Sequence, residues 1–198
     1  MDDRAPGWLE RARPGEVWAR EEVDFTPWLA APDTMRRLGE ALRLDLQPVA
    51  REHRVGRFRA DLLCRDAASG SPVVIEAQLG PTDHRHLGQL LAYAAGLDAA
   101  AAVWVAASFH DEHRAALDWL NRSGAGGARF FGVEIAVWKT GDTNTAARFD
   151  VVARPGDWPS AAVRPAIRPQ PVRHAVRWTG RRRPDGGKGG PRRLVIAG

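Results

Sequence analysis

Cysteine is almost missing from this chain. Among its 198 residues only Cys64 carries a thiol, which excludes an internal disulfide and any zinc site built from cysteines. Cys64 falls in a predicted strand and is expected to be buried and inert. Long apolar runs are missing as well: the longest, Ala99 to Ala107, is about half of the roughly 20 residues that a membrane-spanning helix needs. No transmembrane helix and no membrane partner are expected. The opening residues, Met-Asp-Asp-Arg-Ala-Pro-Gly-Trp, lack the basic start and apolar stretch of a secretion signal, so the expected location is the cytoplasm.

A basic surplus over the body of the chain is the third absence. Net charge is +5, but residues 155–198 hold ten Lys and Arg against two Asp, which leaves residues 1–154 at −3. Net charge therefore gives the core no support as a nucleic-acid binder, and any such role has to rest on a site. The length suits one well-buried α/β domain with an appendage. Residues 1–24 read as a charged lead-in, residues 25–158 as the domain, and residues 159–198, rich in Pro, Arg and Gly, as a disordered basic tail that cannot bury enough apolar surface to offset its ordering entropy.

Within the domain, Phe25, Trp28, Leu29, Met35, Leu38, Leu42 and Leu44 recur at roughly helical spacing, with Pro32 dividing a short turn from a main helix that Asp33 or Thr34 can cap. Leu46 to Glu52 and Val55 to Arg65 read as strands joined by a turn near His53. Along the second, Phe58, Ala60 and Leu62 oppose Arg57, Arg59 and Asp61. The Ala-Ala-Ser-Gly-Ser stretch before Pro72 is a hairpin turn by composition, and Val73 to Leu79 a short buried strand. After the break at Gly80-Pro81, Thr82 or Asp83 caps a helix to about Leu97. Ala100 to Ala107, Phe130 to Trp138 and Ala147 to Ala153 are further strands, with a helix over Asp111 to Asn121 carrying Leu117, Trp119 and Leu120. The expected fold class is α/β, a mixed central sheet flanked by helices. Trp104, Trp119 and Trp138 are expected in the core.

The chemistry lies in the second hairpin. Glu76 and Gln78 share a face of one strand, and the paired strand brings Asp61 beside them. A carboxylate emerging from the apolar run Val73-Val74-Ile75 needs a partner or a cation, and Mg²⁺ is the simplest.

Asp61, then Glu76-Ala77-Gln78, then Gln89-Leu-Leu-Ala-Tyr93 on the next helix form a pattern that resembles the PD-(D/E)XK nuclease superfamily over about residues 33–138. The Gln-x-x-x-Tyr helix is similar to that of the RecB-type branch. The resemblance implies a restriction-endonuclease-like core of order αβββαβ and a metal-dependent DNA nuclease, of use in repair, restriction or defence. It implies Mg²⁺ (or Mn²⁺) held by Asp61, Glu76 and the Ala77 carbonyl, Glu40 as a further carboxylate from the preceding helix, and Gln89 and Tyr93 in support. Arg57, Arg59 and His84 are candidates for contacts to DNA. Gln78 stands where the superfamily has lysine. An amide can only hydrogen-bond where an ammonium also carries charge, so Gln78 is expected to orient the attacking water, with His84, His86 or Lys139 as sources of the missing charge.

Two other functions compete: a catalytically lapsed nuclease-like domain that holds nucleic acid or a protein partner, and a small regulatory α/β domain acting through its tail. A homodimer is compatible with each.

Overall fold

A computed structural model describes residues 8–140 and 144–156. The expected tail, residues 159–198, lies outside the described residues. Among those described, seven strands form one mixed sheet: β1 (Glu10–Ala12), β2 (Leu46–Val55), β3 (Phe58–Asp66), β4 (Pro72–Pro81), β5 (Ala101–Ser108), β6 (Arg129–Thr140) and β7 (Asn144–Ala153). The helices are α1 (Thr26–Leu29), α2 (Pro32–Leu42), α3 (His84–Gly96) and α4 (Asp111–Ser123).

Strands β2, β3 and β4 form an antiparallel meander, β4, β5 and β6 run parallel, and β1 and β7 are antiparallel to β6. Val137 to Lys139 of β6 pair with both β1 and β7. Strand β1 therefore occupies the edge of β6 that β5 leaves open. The run α2–β2–β3–β4–α3–β5 is the expected αβββαβ order.

Side-chain alternation divides the core into two layers. Ala101, Val103 and Val105 of β5 face Met35, Leu38 and Leu42 of α2, while Ala102, Trp104 and Ala106 face Leu90 and Tyr93 of α3 and Leu117 of α4. Cys64 is buried in the first layer, where burial pushes its thiol up to about 12 and leaves it protonated. No helix among the described residues is long and apolar enough to cross a membrane.

Several local readings change. The β2–β3 turn lies at Gly56 and Arg57 instead of near His53, because Gly56 takes the left-handed conformation (φ +61°) that a tight turn requires. Helix α2 starts from Ala31 with Pro32 at its first position, so neither Asp33 nor Thr34 is the cap. Trp104 is buried, but Trp119 is 61% exposed and lies on the outer side of α4. Trp138 is half-buried, with the guanidinium groups of Arg11 and Arg148 5.7 and 4.8 Å from its ring centroid. The described part of the expected lead-in belongs to the domain: β1 joins the sheet, and Trp18 packs on Phe25 and Trp28 with ring centroids 5.0 and 4.4 Å apart.

Candidate functional site

The β3–β4 ladder runs from Arg65–Pro72 to Leu62–Ile75 and stops, although β4 continues to Pro81. At the next position a side chain replaces the backbone partner: Asp61 Oδ2 accepts the Ala77 N–H at 2.8 Å. Two residues further on, Glu21 Oε2 accepts the Leu79 N–H at 2.6 Å. The N–H and C=O of one strand residue point to the same edge. The Ala77 carbonyl therefore lies on that edge between the two carboxylates.

Glu76 is 2% exposed, and its Oε2 has no hydrogen-bond partner. Burial pushes its carboxyl well above the usual carboxylate range, and the charges of Asp61 and Glu21 push it further. Asp61 is pushed up for the same first reason, with the Ala77 N–H opposing and Glu21 and Glu52 adding to it. Glu52 falls across from Asp61 in the β2–β3 register, between the pairs Arg51–Leu62 and His53–Ala60, and holds a left-handed backbone at φ +50°. Such a conformation is strained for glutamate.

A second acceptor, Gln89 Oε1, is also buried without a partner, while Gln89 Nε2 donates to Tyr93 Oη at 3.1 Å. Tyr93 is fully buried, and its hydroxyl pKa is raised by burial first and then by the charges of Glu76 and Asp61. Two carboxylates, one of them with an orphaned oxygen, and a backbone carbonyl make an oxygen donor set, which fits a hard divalent cation. No three His, Cys, Asp or Glu side chains among the described residues converge on one point. A cation here needs the carbonyl, water or phosphate oxygens to complete its shell, as Mg²⁺ commonly does.

Gln78 is placed differently from the expectation. It is 5% exposed, Trp104 Nε1 donates to its Oε1 at 3.2 Å, and its Nε2 donates to Pro81 O at 2.6 Å and Asp83 Oδ2 at 2.9 Å. The indole is a donor only, so the amide orientation is fixed by chemistry. Both amide hydrogens are committed, and none remains to orient a water. Asp83 in turn caps α3 by accepting the His86 N–H at 2.9 Å and binds His86 Nδ1 at 2.8 Å.

Glu40 is not brought to the acids. It lies on the solvent face of α2, ion-paired with Arg36. The carboxylate delivered from the N-terminal side is Glu21, in a π-helical turn (Glu21–Phe25) anchored by the Trp18–Phe25–Trp28 cluster. Its sequence signal is slight: an acidic pair ahead of an apolar anchor. Glu52 has none.

Lys139 is held by Glu16 at 2.8 Å. His84 is exposed, and its Nδ1 lies 3.0 Å from Nε2 of His113, whose other nitrogen meets Thr82 Oγ1 at 2.8 Å. Burial, then the neighbouring His84 and His110, lower the His113 pKa. Arg57 lies over the Phe58 ring and Arg59 is exposed; among the described residues neither bridges to Asp61 or Glu76.

No protein-family model matches this chain, and comparison with curated protein sequences gives no match. Two solved structures are similar to part of it. One is a repair endonuclease from Pyrococcus abyssi, 19% identical with a TM-score of 0.39, covering 52% of this chain and 47% of that one. The other is EndoMS in a complex with double-stranded DNA, 22% identical with a TM-score of 0.43, covering 66% of this chain and 49% of that one. The chain thus spans about half the length of each structure it matches.

Proposed function

We propose that the chain is a metal-dependent nuclease of the PD-(D/E)XK kind that hydrolyses phosphodiester bonds in DNA. The observation that carries this reading is the end of the β3–β4 ladder, where Asp61 replaces a strand partner beside a buried Glu76 whose Oε2 has none. Asp61, Glu76 and the Ala77 carbonyl would hold Mg²⁺ or Mn²⁺, with Glu21 beside them in the place expected for Glu40. When bound, the ion supplies Lewis-acid neutralisation of charge on the phosphoryl group. Gln89 and the buried Tyr93, hydrogen-bonded to each other, would support the site.

The β2–β3 hairpin offers the phosphate contacts. Arg54 and Arg59 are opposed directly across the ladder, an arrangement of like charges that weakens a sheet unless an anion lies over it. With Arg57 at the turn, this is a basic arm for the DNA backbone. His84, at the start of α3, is a further contact.

The test is cleavage of linear, nicked and single-stranded DNA by the purified protein with Mg²⁺ or Mn²⁺. Cleavage is expected, with Asp61→Ala and Glu76→Ala each abolishing it. Cleavage that survives both substitutions, or is absent from the wild type, refutes the reading. One observation favours the lapsed-nuclease alternative: Gln78 has neither charge nor a spare donor. That alternative predicts DNA binding without turnover.

A further inference from the structure

The chain that begins at Gln78 does not end there. Gln78 Nε2 holds Asp83 Oδ2 at 2.9 Å, and the Asp83 carboxylate meets His86 Nδ1 at 2.9 and 2.8 Å through its two oxygens. His86 also gives its backbone N–H to Asp83, so the helix cap and the ring contact fix one geometry. The His86 side chain is only 14% exposed, and Asp61 lies within reach of its charge. Of the three basic groups considered as replacements for the missing lysine, Lys139 is engaged by Glu16 and His84 by His113.

We propose that His86 is the catalytic base of this site, oriented by Asp83 and, through Asp83, by Gln78. The proposal rests on the nuclease reading above. With Nδ1–H given to a carboxylate, the neutral ring presents Nε2 as its basic atom, and the same carboxylate stabilises the imidazolium that forms. In the step, His86 Nε2 takes a proton from the attacking water as that water's oxygen bonds to phosphorus. The bond from phosphorus to the leaving oxygen breaks, and the leaving alkoxide takes a proton from solvent. Gln78 and Asp83 are positioning residues. The glutamine is then not a worn-out lysine but the first link of a different device, with Trp104 fixing the orientation of its amide.

The experiment compares full-length wild type, His86→Ala, His86→Gln, Asp83→Asn and Gln78→Lys on labelled duplex DNA with Mn²⁺, with and without added imidazole. His86→Ala is expected to lower kcat by about 10²–10⁴-fold with KM little changed, the range for loss of a general base. Imidazole in the buffer should restore part of that rate in His86→Ala. His86→Gln keeps a hydrogen bond to Asp83 and serves if the alanine variant does not fold. Asp83→Asn should lower kcat in the wild-type background and cost nothing further once His86 is replaced. Gln78→Lys should lower activity under this proposal and raise it if position 78 is a lapsed lysine. A His86→Ala or His86→Gln enzyme that cleaves at the wild-type rate, or a Gln78→Lys gain, overturns the proposal and leaves the nuclease reading standing. Absence of cleavage by the wild type overturns both.

Discussion

Glu76 and Gln78, two residues apart on one face of β4, are almost equally buried and differently provided for. Gln78 has partners for three of its hydrogen-bonding positions, whereas Glu76 keeps an oxygen with none. The consequence is a stability that depends on pH. Burial raises the folded-state pKa of Glu76, so the folded metal-free protein holds a proton that the unfolded chain releases once pH exceeds the ordinary glutamate value of 4.5. Folded binds more protons than unfolded in that window, and stability falls as pH rises. The melting temperature of the metal-free protein should fall between about pH 5 and about pH 8, and Glu76→Gln should flatten the fall. Melting curves with chelator and with Mg²⁺ check this, and added Mg²⁺ should stabilise the wild type more at the higher pH. Asp61, Glu76 and the Gln89–Tyr93 pair were legible in the sequence because strand and helix periods place them. The partners of Gln78 were not, because they come from a turn and a neighbouring strand. Glu21 was missed because one π-helical turn has too little periodicity to announce itself.

The elements follow their apolar periods closely. Helix α2 and strand β5 present the stripes their sequences carry, while the β2–β3 turn was misplaced because Gly56, not the polar residues around His53, supplies the left-handed backbone. The return from α2 into β2 is equally demanding. A Cβ on Gly39 would lie 2.5 Å from the backbone oxygen of Leu44, an atom that cannot swing aside. Gly39→Ala should therefore destabilise the protein by about 1–3 kcal/mol, the usual range for overpacking. Urea denaturation should show a lower midpoint with an unchanged slope. Ending the β3–β4 ladder is the element-level event that makes the site, and no local pattern encodes it. It depends on Asp61 and Glu21 competing for the free edge of β4.

At the scale of the whole molecule, residues 1–154 carry −3, and the proposed DNA contacts rest on local placement: the β2–β3 hairpin presents Arg54 and Arg59 directly opposed. Replacing both with serine should weaken DNA binding and reduce the steepness of its salt dependence by about two phosphate contacts, which titration at several salt concentrations measures. Removing residues 159–198 should leave cleavage intact, since every residue assigned to the site precedes them; loss of cleavage would assign the segment a part in the chemistry. All of this depends on a cation being what Glu76 lacks. A crystal soaked in Mn²⁺ and measured for anomalous scattering tests that directly. The expected result is a peak between Asp61, Glu76 and the Ala77 carbonyl. A Glu76 carboxyl that has no peak beside it and is satisfied by a protein group such as Arg85, whose charge already acts on it, would contradict it.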